Sequence, residues 1–154
     1  MKILIAYYSR TGNTKKIANL LKNKLNCDIE AIEDLNKHSG VIGWLKGGYE
    51  SSQNKKAEIG SVRKNPEDYD LVIIGSPVWA SKLASPVTTY VKQYKDNFKE
   101  VACFATCNAR GQDGTFKQLE EITNKQLKAK MSFNKKTIED PDIEIGKFIE
   151  KVKK

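Results

Sequence analysis

Short apolar runs alternate along this chain with segments of helical period, and that alternation limits the fold more than any other feature. Lys2–Tyr8 is rich in β-branched and aromatic residues. Ile17, Leu20, Leu21 and Leu25 then recur at the spacing that lines one face of a helix. Asp28–Glu33 alternates polar and apolar residues, as a half-buried strand does. Asp70–Gly75 and Val101–Thr106 are short and apolar, a composition typical of parallel strands covered on both faces. Ser85-Pro86 reads as a cap followed by proline at the first helical position, ahead of Val87, Tyr90, Val91 and Tyr94 on one face. Phe116, Leu119, Ile122 and Leu127 form the next helical face, and Ala129–Ile138 reads as a last strand. Asp140-Pro141 opens a final helix bearing Ile145, Phe148, Ile149 and Val152.

Strands alternating with helices predict a parallel sheet with helices on both faces. Five strands suit the doubly wound order 2-1-3-4-5, in a single α/β domain over residues 1–154. One connection is long for a plain crossover: 36 residues, Asp34–Tyr69, separate strands two and three. Within it Gly40–Tyr49 reads as a short glycine-rich helix, either packed on the sheet or forming a flap beside the site. Ser51–Gly60 reads as an exposed loop.

Composition excludes several classes. No apolar run approaches the roughly 20 residues of a membrane helix, and the opening run stops at Tyr8 without the features of a signal peptide. A cytoplasmic location is the expectation. Three cysteines, Cys27, Cys103 and Cys107, are too few for a disulfide framework. Cys103 and Cys107 on one strand would stand about 13 Å apart, too far to pair unless the strand curls back. A single histidine, His38, leaves no zinc set and no hydrolytic triad. The net charge of +8 comes from 24 lysines and 3 arginines spread over both halves, with no basic stripe interleaved with aromatics. A lysine-rich soluble surface explains this better than a nucleic-acid site.

In a doubly wound sheet, ligands bind at the carboxyl ends of the strands, at the switch point between strands one and three. Three loops meet there. Ser9, Arg10, Thr11, Gly12, Asn13 and Thr14 follow a strand and open a helix. Backbone N–H groups, hydroxyls and the helix dipole would suit a phosphate monoester, whereas a plain capped helix start would need only Asn13 or Thr14. The nucleotide-triphosphate and dinucleotide glycine patterns are absent. Pro77, Val78, Trp79 and Ala80 form the second loop, where Trp79 either stacks on a planar ligand or folds down onto a helix. Thr106, Cys107, Asn108 and Gly111 form the third, suited to the polar edge of a heteroaromatic ring or to an ordinary turn.

The Ser9–Thr14 segment resembles the flavodoxin phosphate signature, Thr/Ser-x-Thr-Gly-x-Thr. Gly75–Trp79, with Pro86 downstream, is similar to a flavin loop of the same family, and the likeness extends to the strand order over the whole chain. It implies a flavodoxin-like fold of the short-chain form, without an insertion in the last strand, and one non-covalent FMN. Ser9 through Thr14 would hold the phosphate. Pro77 to Ala80 would flank the isoalloxazine, with Trp79 stacking, and Thr106, Cys107, Asn108 and Gly111 would face the ring edge. The chain departs from the family in its basic charge, in the glycine missing from the second loop and in the tyrosine missing from the third.

The resemblance implies a low-potential electron carrier between redox proteins, with no side chain acting as catalyst and no metal. The alternative is an FMN-dependent NAD(P)H:quinone-type oxidoreductase. The charge points to donor and acceptor proteins with an acidic docking face, no nucleic acid and no membrane. A monomer or weak dimer is expected.

Overall fold

A computed structural model describes residues 1–36 and 57–154. Five parallel strands form the sheet. These are β1 (Ile3–Tyr7), β2 (Asp28–Ala31), β3 (Leu71–Trp79), β5 (Glu100–Thr106) and β6 (Lys130–Phe133). Their spatial order is β2-β1-β3-β5-β6, with a short antiparallel β4 (Lys82–Leu83) folded back on the end of β3. Counting the parallel strands alone, this is the expected order 2-1-3-4-5. Among the described residues, four α-helices cover the faces: α1 (Asn13–Leu25), α2 (Ser85–Tyr94), α3 (Gln112–Thr123) and α4 (Asp142–Lys153).

Side chains alternate across a strand, and the two cores follow from that. Ile3, Ile5 and Tyr7 of β1, Leu71 and Ile73 of β3, and Ala102 and Phe104 of β5 point to one face. There they meet Ile17 and Leu21 of α1 and Ile145, Phe148 and Val152 of α4. The intervening residues Ala6, Val72, Ile74, Val101, Cys103 and Ala105 point to the other face, against Val87, Tyr90 and Val91 of α2 and Phe116 and Leu119 of α3. The central runs are therefore apolar throughout because both faces are buried.

Four local expectations are corrected. The last strand ends at Phe133, not Ile138. Ile138 is buried in the α1/α4 core from within a turn, so its apolar character mimics a strand residue. Ser85 is not the cap of α2: the N-cap is Ala84, Ser85 lies in the first turn, and its buried Oγ bonds to no other described residue. No side chain caps α2; Ser76 Oγ instead accepts from the N–H of Ala84, the N-cap residue, at 3.0 Å. The second loop, Pro77 to Ala80, is the end of β3 and the start of its turn into β4. Within the stretch read as an exposed loop, Ala57 is buried, and its N–H and carbonyl both bond to the Thr89 hydroxyl. The Gly40–Tyr49 segment lies outside the described residues.

Candidate functional site

The chain leaves β1 toward β2 on one side and β3 toward β5 on the other, which opens a crevice at the carboxyl ends of β1 and β3. A cleft of about 310 Å³ lies there, at the lower end of the range for small-ligand sites. Among the described residues, its walls come from four loops.

The β1–α1 loop supplies Arg10, Thr11, Asn13 and Thr14. Gly12 adopts φ 101°, a left-handed conformation that side chains other than glycine's disfavour, and it is the N-cap of α1. The Ser9 hydroxyl accepts from the Gly12 N–H at 3.1 Å, so Ser9 braces the loop from outside the cleft wall. No side chain caps α1, and its first turn carries no acidic residue. The capping role considered for Asn13 or Thr14 is thus unfilled, because both lie inside the helix. A bare helix N-terminus attracts an anion through its N–H groups and dipole. α3 differs: it also starts at a left-handed glycine, Gly111, but has Asp113 in its first turn.

The Thr14 and Thr106 hydroxyls share a buried hydrogen bond of 2.8 Å, which ties this loop to the end of β5. Thr106, Cys107 and Asn108 form the second wall. Burial raises the Cys107 thiol above its ordinary pKa, so it stays protonated near neutrality. Cys27, Cys103 and Cys107 are all free.

Pro77, Val78 and Trp79 form the third wall. β3 then turns through Ala80 (φ 50°) and Ser81 (φ 61°) into β4. Two successive left-handed residues make the tight turn whose twist matches a two-residue hairpin. Gly111 and Gly114 support it from beneath: a Cβ on Gly111 would press on Val78 and Ser81, and one on Gly114 would meet the Ser81 carbonyl oxygen. Trp79 is only 3% exposed and packs edge-on against Tyr8, with centroids 5.6 Å apart at 86°. Trp79 also lines the cleft, so its ring is held against Tyr8 at the cleft wall. Ala80, at the exposed hairpin tip, and Gly111, under the hairpin, do not line the cleft, nor do Ser9 and Gly12.

The fourth wall was not among the loops singled out in the sequence. Phe133, Asn134, Lys135, Ile138 and Glu139 line the cleft from the turn between β6 and α4. Asn134 Oδ1 accepts from the backbone N–H groups of Lys136 (2.9 Å) and Thr137 (3.1 Å), while Thr137 Oγ1 accepts from the Asn134 N–H at 2.9 Å. The signal was present: Asn134-Lys135-Lys136-Thr137 is a polar cluster with turn chemistry at the carboxyl end of a strand. Reading the strand on to Ile138 hid it. Among the described residues, the ionisable groups lining the cleft are Arg10, Cys107, Lys135 and Glu139.

This geometry defines a doubly wound α/β protein with an anion-ready loop at its switch point. The flavodoxin family model matches residues 2–151, and the chain belongs to that family. Among solved structures it is similar to a flavoprotein from Lactobacillus acidophilus NCFM determined in complex with FMN. That pair shares 25% identity over 96% of this chain and 97% of that one, with a TM-score of 0.74. It is also similar in fold to a WrbA-like flavodoxin from Agrobacterium tumefaciens (11% identity, 96% and 94% coverage, TM-score 0.60). A third likeness in fold is to oxidised flavodoxin 1 from Bacillus cereus (15% identity, 97% and 98% coverage, TM-score 0.55). No curated protein matches the chain in sequence. Among the described residues, no helix is long and apolar enough to cross a membrane and no acidic, histidine or cysteine cluster could hold a metal ion.

Proposed function

We propose that this chain binds one FMN at the switch-point cleft and carries electrons between redox proteins. The observation that carries the reading is the uncapped, acid-free N-terminus of α1, entered through left-handed Gly12 and facing a cleft, in a member of the flavodoxin family. The residues fit the group. Thr11, Asn13 and Thr14 offer hydroxyl, amide and backbone donors for a phosphate, and Pro77, Val78 and Thr106–Asn108 offer an apolar wall opposite a polar one for the ring. FMN, when bound, supplies the redox chemistry. The chain's part is to hold the phosphate, seat the ring and limit water around it.

The +8 charge falls to about +6 once a phosphate of roughly −1.5 to −2 is bound. Beside the hairpin, Lys82, Lys92 and Lys117 line a groove of about 330 Å³, with Glu121 3.9 Å from Lys117. An acidic redox partner suits that surface, and steering between opposite charges weakens with salt.

Adding FMN and then reducing the holoprotein stepwise without oxygen tests the reading through its visible spectrum. The expected result is flavin uptake, reduction in two separate one-electron stages, slow bleaching by NAD(P)H alone, and faster reduction by an acidic donor protein at low salt than at high salt. Rapid bleaching by NAD(P)H in a single two-electron stage would instead support the quinone-type oxidoreductase. Failure to take up FMN would overturn both.

A further inference from the structure

We propose that the β6–α4 turn closes the phosphate end of the cleft, and that Lys135 on it, together with Arg10, discriminates phosphorylated from unphosphorylated flavin. This rests on the FMN reading above and assigns a binding role to a loop outside the flavodoxin motif. The turn is placed at the phosphate end by a bond across the fold: the Lys16 ammonium, in the first turns of α1, donates to the Ile138 carbonyl at 2.9 Å. A second bond, from the Cys107 N–H to the Phe133 carbonyl at 2.9 Å, fixes where the turn leaves the sheet. The reciprocal Asn134–Thr137 bonds then set the backbone that carries Lys135. Lys135 is therefore presented by a braced turn, and Lys136 beside it does not line the cleft.

The charge inventory gives the proposal its sign. The β1–α1 motif by itself offers neutral donors and one cation, Arg10. The fourth wall adds one cation, Lys135, and one anion, Glu139. Lys135 and Glu139 should therefore act in opposite directions on a phosphate, and neither should affect a ligand that lacks one. Lys135 and Glu139 are exposed, so their effect on a phosphate should weaken with salt, and a hydrogen bond to a charged group is worth about tenfold or more in affinity.

Flavin binding, followed by fluorescence quenching with FMN and with riboflavin at low and high salt, reads this directly. Lys135→Gln is expected to weaken FMN roughly tenfold at low salt and to leave riboflavin unchanged. Glu139→Gln is expected to tighten FMN, Lys136→Gln to change nothing, and all three differences to shrink at high salt. A Lys135→Gln variant that binds FMN as wild type does, or that loses FMN and riboflavin equally, would overturn the proposal, the latter by showing a packing role only. Wild-type protein that binds neither flavin would instead remove the FMN reading on which it rests.

Discussion

Gly75→Ala is expected to lower the stability of this protein by about 3 kcal/mol, read as a fall in the urea midpoint at unchanged slope. Gly75 sits on β3, in register with Tyr7 of β1 and Phe104 of β5. A Cβ there would run into the Phe104 ring and reach 2.9 Å from the Tyr7 Cβ. Phe104 is fully buried, and the strands on both sides are hydrogen-bonded, so neither ring nor backbone has room to retreat. The ring of Phe104 occupies the space that a side chain at 75 would claim. Shortening it should therefore recover part of the loss: Gly75→Ala with Phe104→Leu should be more stable than the sum of the two single changes. A Gly75→Ala protein with the wild-type midpoint would show that this contact is not tight in solution. Gly75 also lies just below Pro77 and Val78, so the same variant should disturb the cleft wall that β3 extends into.

Thr14→Val is expected to cost about 2 kcal/mol, and Thr106→Val about the same, because each leaves the partner hydroxyl buried without its hydrogen bond. The two side chains are buried, 92 residues apart in sequence, and joined at 2.8 Å. The double variant replaces both hydroxyls by methyl groups of similar shape, so its cost should fall well below the sum. Denaturant unfolding of the four proteins measures the coupling. Strict additivity would mean that the two hydroxyls do not depend on one another. Because both residues also line the cleft, FMN affinity should drop with Thr14→Val as well, which separates a ligand contact from a purely structural brace when compared with Thr106→Val.

Much of the architecture is legible without coordinates because it follows from local periodicity. Runs such as Leu71–Ile74 have no polar face, and only a strand buried on both sides tolerates that. The 3.6-residue spacing of Ile17, Leu20, Leu21 and Leu25 places one face of α1 on the sheet. The β1–α1 loop is legible for a related reason: a glycine amid hydroxyl residues between a strand and a helix is local chemistry, and Gly12 does take the left-handed conformation at the helix cap.

Local pattern misassigned or left open other features. Ile138 looks like a strand residue because it is buried, yet it is buried from a turn. Ser85 looks like a cap, but it lies in the first turn, and the N-cap residue Ala84 donates its N–H to Ser76, eight positions before it. Trp79 could have faced a ligand or the core, and the structure places it both against Tyr8 and in the lining of the cleft.

What the amino-acid sequence determined alone was the order and type of the strands and helices, the faces they bury and the anion-ready start of α1. Only the tertiary structure decided which loops share a wall. The Thr14–Thr106 and Lys16–Ile138 bonds join residues 92 and 122 positions apart, and such partners are chosen by sheet order and crossover direction. Periodicity reports what each segment buries; it carries no information on which distant segment arrives beside it.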